Sequence, residues 1–120
     1  MILLDTHIWI WWVNENPMLN NISRSILDNQ FQGEIAISII SCWEVAKAVE
    51  NGRLKLKYPV KEWLSLAIAN FQLHVIPIDN AIILDSTSLP GNFHKDPADQ
   101  LIVATARTQY FPLLTADEKI

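Results

Sequence analysis

Cysteine is nearly absent. Cys42 stands alone in 120 residues, so no internal disulfide can form, which fits a reducing compartment and leaves Cys42 as a small buried hydrophobe. Long apolar runs are missing too. The longest near the start, Ile8 to Val13, falls far short of the ~20 residues that a bilayer span requires. A secretory leader carries positive charge before its apolar stretch, and here Asp5 occupies that place. There is no repeat, low-complexity segment or linker. These absences predict a protein without a membrane segment that acts in the cytoplasm.

Basic charge is scarce as well. Nine Lys and Arg face thirteen Asp and Glu, a net charge of −4, which excludes tight nucleic-acid binding through overall charge alone. The distribution says more than the sum. Lys47, Arg53, Lys55, Lys57 and Lys61 make five of those nine and fall within fifteen positions. They form either a solvated loop and helix face or a local phosphate-binding strip on an acidic body.

What the chain does have is apolar content: half its residues, five of them Trp. A chain of this length makes one domain and buries roughly two-thirds of its unfolded surface, so neither disulfides nor a structural metal are needed. Short apolar runs alternate with helical stretches, the signature of an α/β fold with a parallel sheet covered by helices on both faces. Strands are predicted at Met1 to Leu4, Glu34 to Ile37, His74 to Ile78 and Phe111 to Leu114. Helices are predicted over Ile8 to Val13, around Ile22 to Leu27 with Gly33 as its end, from about Ser41 to Glu50, and from about Val60 to Phe71. A further helix begins near Asp79, and Asp96-Pro97 opens a last one reaching Thr108.

In such a sheet, ligands bind beyond the carboxyl ends of the strands. Asp5 ends the first strand, Glu44 lies early in the helix after the second, Asp99 opens the helix before the fourth, and Asp117 follows the fourth. They are expected to meet at one rim. Each also has a structural reading. Ser41-x-x-Glu44 matches a capping box, Asp96-x-x-Asp99 resembles one, Asp5 suits a helix cap, and Asp117 suits an exposed turn. The two readings are compatible, because a helix that starts at the carboxyl edge aims its first turn at the cleft. Crowded carboxylates repel unless a cation neutralises them. Hard oxygen donors suit Mg²⁺ or Mn²⁺ rather than Zn²⁺. The chemistry such a site offers is hydrolysis of a phosphate ester.

The same residues resemble those of the PIN-domain family. Asp5-Thr6-His7 with Trp9 and Trp11-Trp12, then Ser41-x-Trp43-Glu44-Val45-Ala46-Lys47 and Gly52-Arg53-Leu54, are similar to the start of such proteins. His94-Lys95-Asp96-Pro97-Ala98-Asp99-Gln100-Leu101-Ile102-Val103-Ala104-Thr105-Ala106 resembles the family's most recognisable segment, and Leu113-Leu114-Thr115-x-Asp117 its last acidic motif. The resemblance treats residues 1–120 as one PIN-like nuclease domain, and relatives usually continue into a final edge strand, which is expected to be missing or to lie past Ile120. The nearest subgroup is the VapC-like toxins of bacterial toxin–antitoxin pairs. That resemblance implies a Mg²⁺- or Mn²⁺-dependent endoribonuclease acting on structured RNA such as tRNA or rRNA, a cognate antitoxin that plugs the site, and a homodimer. It makes Asp5 and Asp99 the principal metal ligands, with Glu44 and Asp117 completing the catalytic acids and Thr6 and Thr115 orienting them. Gln100 stands where relatives often carry Arg, so one contact to phosphate or to a neighbouring acid is expected to be lost.

His7 and His94 read as packed or hydrogen-bonding residues, since the acids already account for a metal. Trp9, Trp11 and Trp12 read as core and interface rather than a base-stacking platform. Two other classes compete. A receiver-like regulatory domain would use Asp79 as phosphoacceptor with Lys119 as partner, but such a domain wants paired acids at strand one, where this chain offers Asp5 alone. A catalytically silent binding module on the same fold has no need of four acids.

Overall fold

A computed structural model describes residues 1–29, 33–91, 93 and 96–117. Its strands are β1 (Ile2–Leu4), β2 (Ile35–Ser38), β3 (His74–Ile76) and β4 (Leu113–Leu114). The helices are α1 (Thr6–Val13), α2 (Asn21–Asp28), α3 (Ile39–Glu50), α4 (Val60–Ala69), α5 (Asn80–Ser86) and α6 (Pro97–Gln109). The strands form one parallel sheet in the order β3-β2-β1-β4. Among the described residues, no helix is long and apolar enough to cross a membrane.

The sheet is buried on both faces, which is why its strands read as unbroken apolar runs. Alternate side chains divide between two clusters. Leu4, Ile35 and Ile37 pack on one side with Ile8, Trp9, Trp12, Val45 and Trp63. Leu3 and Ala36 pack on the other with Ile102 and Ala106. Trp9 meets Trp63 with ring centroids 5.1 Å apart. Trp12 and Trp63 place their indole N–H groups on Asp28 Oδ1 and Asn14 Oδ1, each at 3.1 Å, so the rings are buried without stranding those donors.

The predicted elements all form, with shifted ends. α2 stops at Asp28, with Asn29 as its C-cap, rather than at the expected Gly33, and the shift that matters for the site concerns α3. Its N-cap is Ser38, whose hydroxyl accepts from the Ile40 N–H at 3.1 Å. Ser41 therefore caps nothing and Glu44 lies in the second turn, so the expected capping box is absent. Ile39 and Ile40 mask this start, because an apolar pair directly after a strand gives no boundary signal. At its other end, α3 closes on Gly52, with φ at +74°. Gly52 N–H donates to Val49 O and Arg53 N–H to Ala48 O, at 3.1 and 2.9 Å, the paired bonds of a Schellman stop. The cap turns the chain into the basic segment.

At α6 the expectation holds. Asp96 accepts from the Ala98 and Asp99 N–H groups at 3.0 and 3.1 Å, Pro97 opens the helix, and Asp99 lies in its first turn.

A Cβ at Gly52 would meet nothing within 4 Å, so substitution there tests backbone conformation alone. Gly52→Ala should lower unfolding free energy by roughly 1–2 kcal/mol, the cost of a left-handed L-residue. Urea titration should show an earlier midpoint at unchanged slope. An unshifted midpoint would mean that the turn relaxes.

Candidate active site

Asp5, at the end of β1, is only 3% exposed. Its Oδ1 accepts from Thr6 N–H at 2.7 Å, capping α1, and its Oδ2 accepts from Thr115 Oγ1 at 2.9 Å. Its own N–H donates to Leu114 O on β4, also at 2.9 Å. Thr115 in turn accepts from Asp117 N–H at 2.9 Å. One threonine hydroxyl thus ties Asp5 to the backbone of Asp117, and each Asp5 oxygen keeps a second lone pair for a ligand.

Glu44 is held from the other side. Thr6 Oγ1 lies 2.5 Å from Glu44 Oε1 and 2.8 Å from Ser41 Oγ. A hydroxyl has one proton. With Glu44 ionised, Thr6 donates to it and accepts from the fully buried Ser41. Both threonines expected to orient acids are therefore in contact with one. Ser41, read as a cap, instead braces Thr6. Its spacing from Glu44 made the cap plausible, and only the three-dimensional position of Thr6 reveals the other role.

Asp5, Thr6, His7, Glu44, Asp96, Asp99 and Asp117 line one cleft of about 380 Å³. All four candidate acids are there. Asp96, expected only to cap, lines it too, because the cap of α6 points at the strand ends. Burial holds the Glu44 carboxyl above the ordinary glutamate value; the Thr6 bond and His7 oppose that rise, while the charges of Asp5 and Asp96 add to it. Among the described residues, no three His, Cys, Asp or Glu side chains stand close enough together to enclose an ion as they lie. The donor set is nonetheless all oxygen, converges on one polar cleft, and carries charge that a cation would relieve. That donor chemistry suits a hard divalent ion.

His7 is exposed, and its ring stacks on Trp11 with centroids 5.8 Å apart. His94 and Lys119 lie outside the described residues. Asp79 does not join the acids. It caps α5, accepting from Ile82 N–H at 2.9 Å, and follows β3 at the sheet edge, which removes the receiver-like arrangement.

A larger groove of about 1010 Å³ continues from the cleft, sharing Thr6, His7, Glu44 and Asp96 with it. Lys47, Arg53, Lys55 and Lys57 line its wall. Lys61 does not line it.

The arrangement is thus a parallel sheet with an acidic cleft at its carboxyl edge and a basic-walled groove beside it. Residues 2–120 match the PIN domain family, and the chain belongs to that family. It is 31% identical over 119 residues to ribonuclease VapC22 of Mycobacterium tuberculosis, covering 99% of this chain and 88% of the relative. Its fold is similar to that of a toxin–antitoxin complex from Klebsiella pneumoniae, with a TM-score of 0.69 and 22% identity over 98% of this chain and 87% of the other. It is also similar to VapBC2 from Rickettsia felis bound to a promoter DNA fragment, with a TM-score of 0.70 and 23% identity over 99% and 90%.

Glu44 gives a signed test. A carboxyl whose pKa is raised in the fold binds its proton more tightly folded than unfolded, so its ionisation opposes folding. Stability from this group falls as pH rises from the ordinary value of 4.5 through the raised one. In metal-free buffer, Glu44→Gln should therefore be more stable than the parent at neutral pH. Below pH 4.5 the two melting curves should converge. A gap that persists in acid would assign the effect to packing.

Proposed function

We infer that this chain is a Mg²⁺- or Mn²⁺-dependent endoribonuclease of the VapC type, the toxin of a toxin–antitoxin pair. The observation that carries the reading is the meeting of Asp5, Glu44, Asp99 and Asp117 in one cleft that opens into a basic-walled groove. The relation to a ribonuclease at 31% identity supports RNA as the substrate, with structured RNA such as tRNA or rRNA as the target class in the cytoplasm. The toxin–antitoxin complexes among the structural neighbours support a cognate antitoxin as partner, and a homodimer belongs to the same proposal.

The roles divide by position. Asp5 and Asp99 would be the principal ligands of the ion, with Glu44 and Asp117 completing the set directly or through water. When bound, the ion supplies neutralisation of the phosphate's charge and activation of water. The chain's own part is to fix the acids. Thr115 fixes Asp5 relative to Asp117, and the Ser41–Thr6 pair fixes Glu44. Asp99 sits in the first turn of α6, at the positive end of its dipole. The groove wall holds the flanking phosphates, so a cut inside a chain is preferred over release of an end.

Asp96 and Asp99 separate stability from chemistry. Asp96→Ala should cost about 0.5–2 kcal/mol for the lost cap and retain measurable RNA cleavage. Asp99→Ala should fold, lose cleavage by several orders of magnitude, and lose the melting-temperature rise that millimolar Mg²⁺ gives the parent by mass action. A parent protein that neither cuts RNA nor shifts with Mg²⁺ or Mn²⁺ would return the chain to the silent binding module.

The basic wall has its own test. Replacing Arg53, Lys55 and Lys57 with Gln should weaken RNA binding and flatten its salt dependence, since fewer counterions are released. Hydrolysis of a dinucleotide, too short to reach the wall, should change little. An unchanged salt slope would make these residues solvated surface.

A further inference from the structure

His7, Trp43 and the partly exposed Trp11, which also packs against the core, line one groove. His7 is exposed and lies nearly parallel to Trp11, with 25° between ring planes. Trp43 is 55% exposed, whereas Trp9 and Trp12 on the preceding helix are 0% and 9% exposed. Packing buries the latter two, whereas Trp11 packs against the core while staying partly exposed, and His7 and Trp43 are exposed. His7, Trp11 and Trp43 all line the basic groove. His7 follows Thr6 in the chain and Trp43 precedes Glu44, and Thr6 donates to Glu44. Two of the rings therefore belong to residues adjacent in the chain to the hydrogen bond where cleft and groove join.

The chemistry of the groove selects an occupant. Lys47 is paired with Glu50 at 2.7 Å, and the remaining wall of Arg53, Lys55 and Lys57 favours a polyanion. Its aromatic lining favours flat π faces. A single-stranded nucleic acid carries both along its length, whereas a duplex keeps its base faces stacked on one another. We propose that His7–Trp11 and Trp43 form a stacking platform for unpaired nucleobases flanking the scissile phosphate. The proposal rests on the nuclease reading and narrows it: the platform selects unpaired or extruded RNA over paired RNA. Because every base has a π face, it reads the unpaired state more than the sequence.

The test couples protein and RNA changes. The full-length protein, in metal-free buffer, is titrated with an RNA hairpin whose loop it cuts, with hairpins abasic at single loop positions, and with a fully paired RNA of equal length. The hairpin should bind more tightly than the duplex. An abasic position beside the cut should weaken binding by about five- to 150-fold, the range for a lost base–aromatic stack. His7→Ala and Trp43→Ala, both at exposed positions, should weaken the intact hairpin by a similar factor and the matching abasic hairpin hardly at all. Trp11→Phe keeps a ring beneath His7 and should keep most of the affinity. Equal losses on intact and abasic RNA would overturn the platform, as would equal binding of hairpin and duplex. If all three variants cut RNA with unchanged kcat/KM, the nuclease stands, the platform falls, and the rings serve a protein partner instead. If the parent cuts no RNA with Mg²⁺ or Mn²⁺, it is the nuclease reading that fails.

Discussion

A carboxyl group that is 3% exposed must have its hydrogen-bonding capacity met inside the protein, and the site depends on how Asp5 meets it. Its N–H goes to Leu114 O, its C=O accepts from Trp9 N–H, and its two carboxyl oxygens accept from Thr6 and Thr115. One residue therefore closes the ends of β1, α1 and β4 into a single node. The pairing of Leu3 with Leu113 and of Leu4 with Leu114 sets the register of that node. Slipping β4 by one residue would turn its side chains to the opposite face and carry Thr115 and Asp117 away from Asp5. The short β4 thus acts less as a stabilising strand than as a ruler for the cleft.

The capping and functional readings of the acids proved compatible for a geometric reason. In a parallel sheet, helices that follow strands begin at the carboxyl edge, where the substrate also binds. Asp5 caps α1 and lines the cleft; Asp96 caps α6 and lines it too. The first-turn N–H groups that donate to those caps and the positive dipole ends of the helices offset part of the repulsion among the acids. Glu44 lacks this help, standing a turn and a half into α3, and it is the acid whose carboxyl is pushed upward by burial and by its neighbours' charge.

How much was legible follows from the same physics. The strands could be read because burial on both faces leaves continuous apolar runs, and α6 because Asp96-Pro97 combines a cap with a fixed first residue. The start of α3 could not, since Ile39 and Ile40 suit a strand and a buried helix equally. Trp9 and Trp12 lie in the core as their apolar run implied, but the partial exposure of Trp11 was hidden. A short, wholly apolar helix carries no polar face to show which rings point outward, and Trp11 turned out half-buried beside His7. The four acids were legible through their motifs and their places relative to strand ends. The continuity of acidic cleft and basic groove was not, because it depends on the chain turning at Gly52 so that Arg53, Lys55 and Lys57 line the groove.

That continuity bears on how an acidic protein handles a polyanion. With a net charge of −4, most of the surface repels RNA at a distance, and the attraction is confined to the groove wall. Beyond about 10 Å at ordinary salt, screening removes both effects, so the wall acts on segments already close and the rest of the body disfavours misplaced ones. The acids next to the wall oppose entry of the scissile phosphate until their charge is neutralised. In the proposed mechanism the cation therefore has two consequences from one cause: it permits the phosphate to approach, and it supports the reaction there. That proposal assigns affinity for the flanking RNA and competence at the cut to different residues, Arg53, Lys55 and Lys57 for one and Asp5, Glu44, Asp99 and Asp117 for the other. Thr6, bonded to Glu44 and lining both spaces, is the point at which the two halves of the site are mechanically joined.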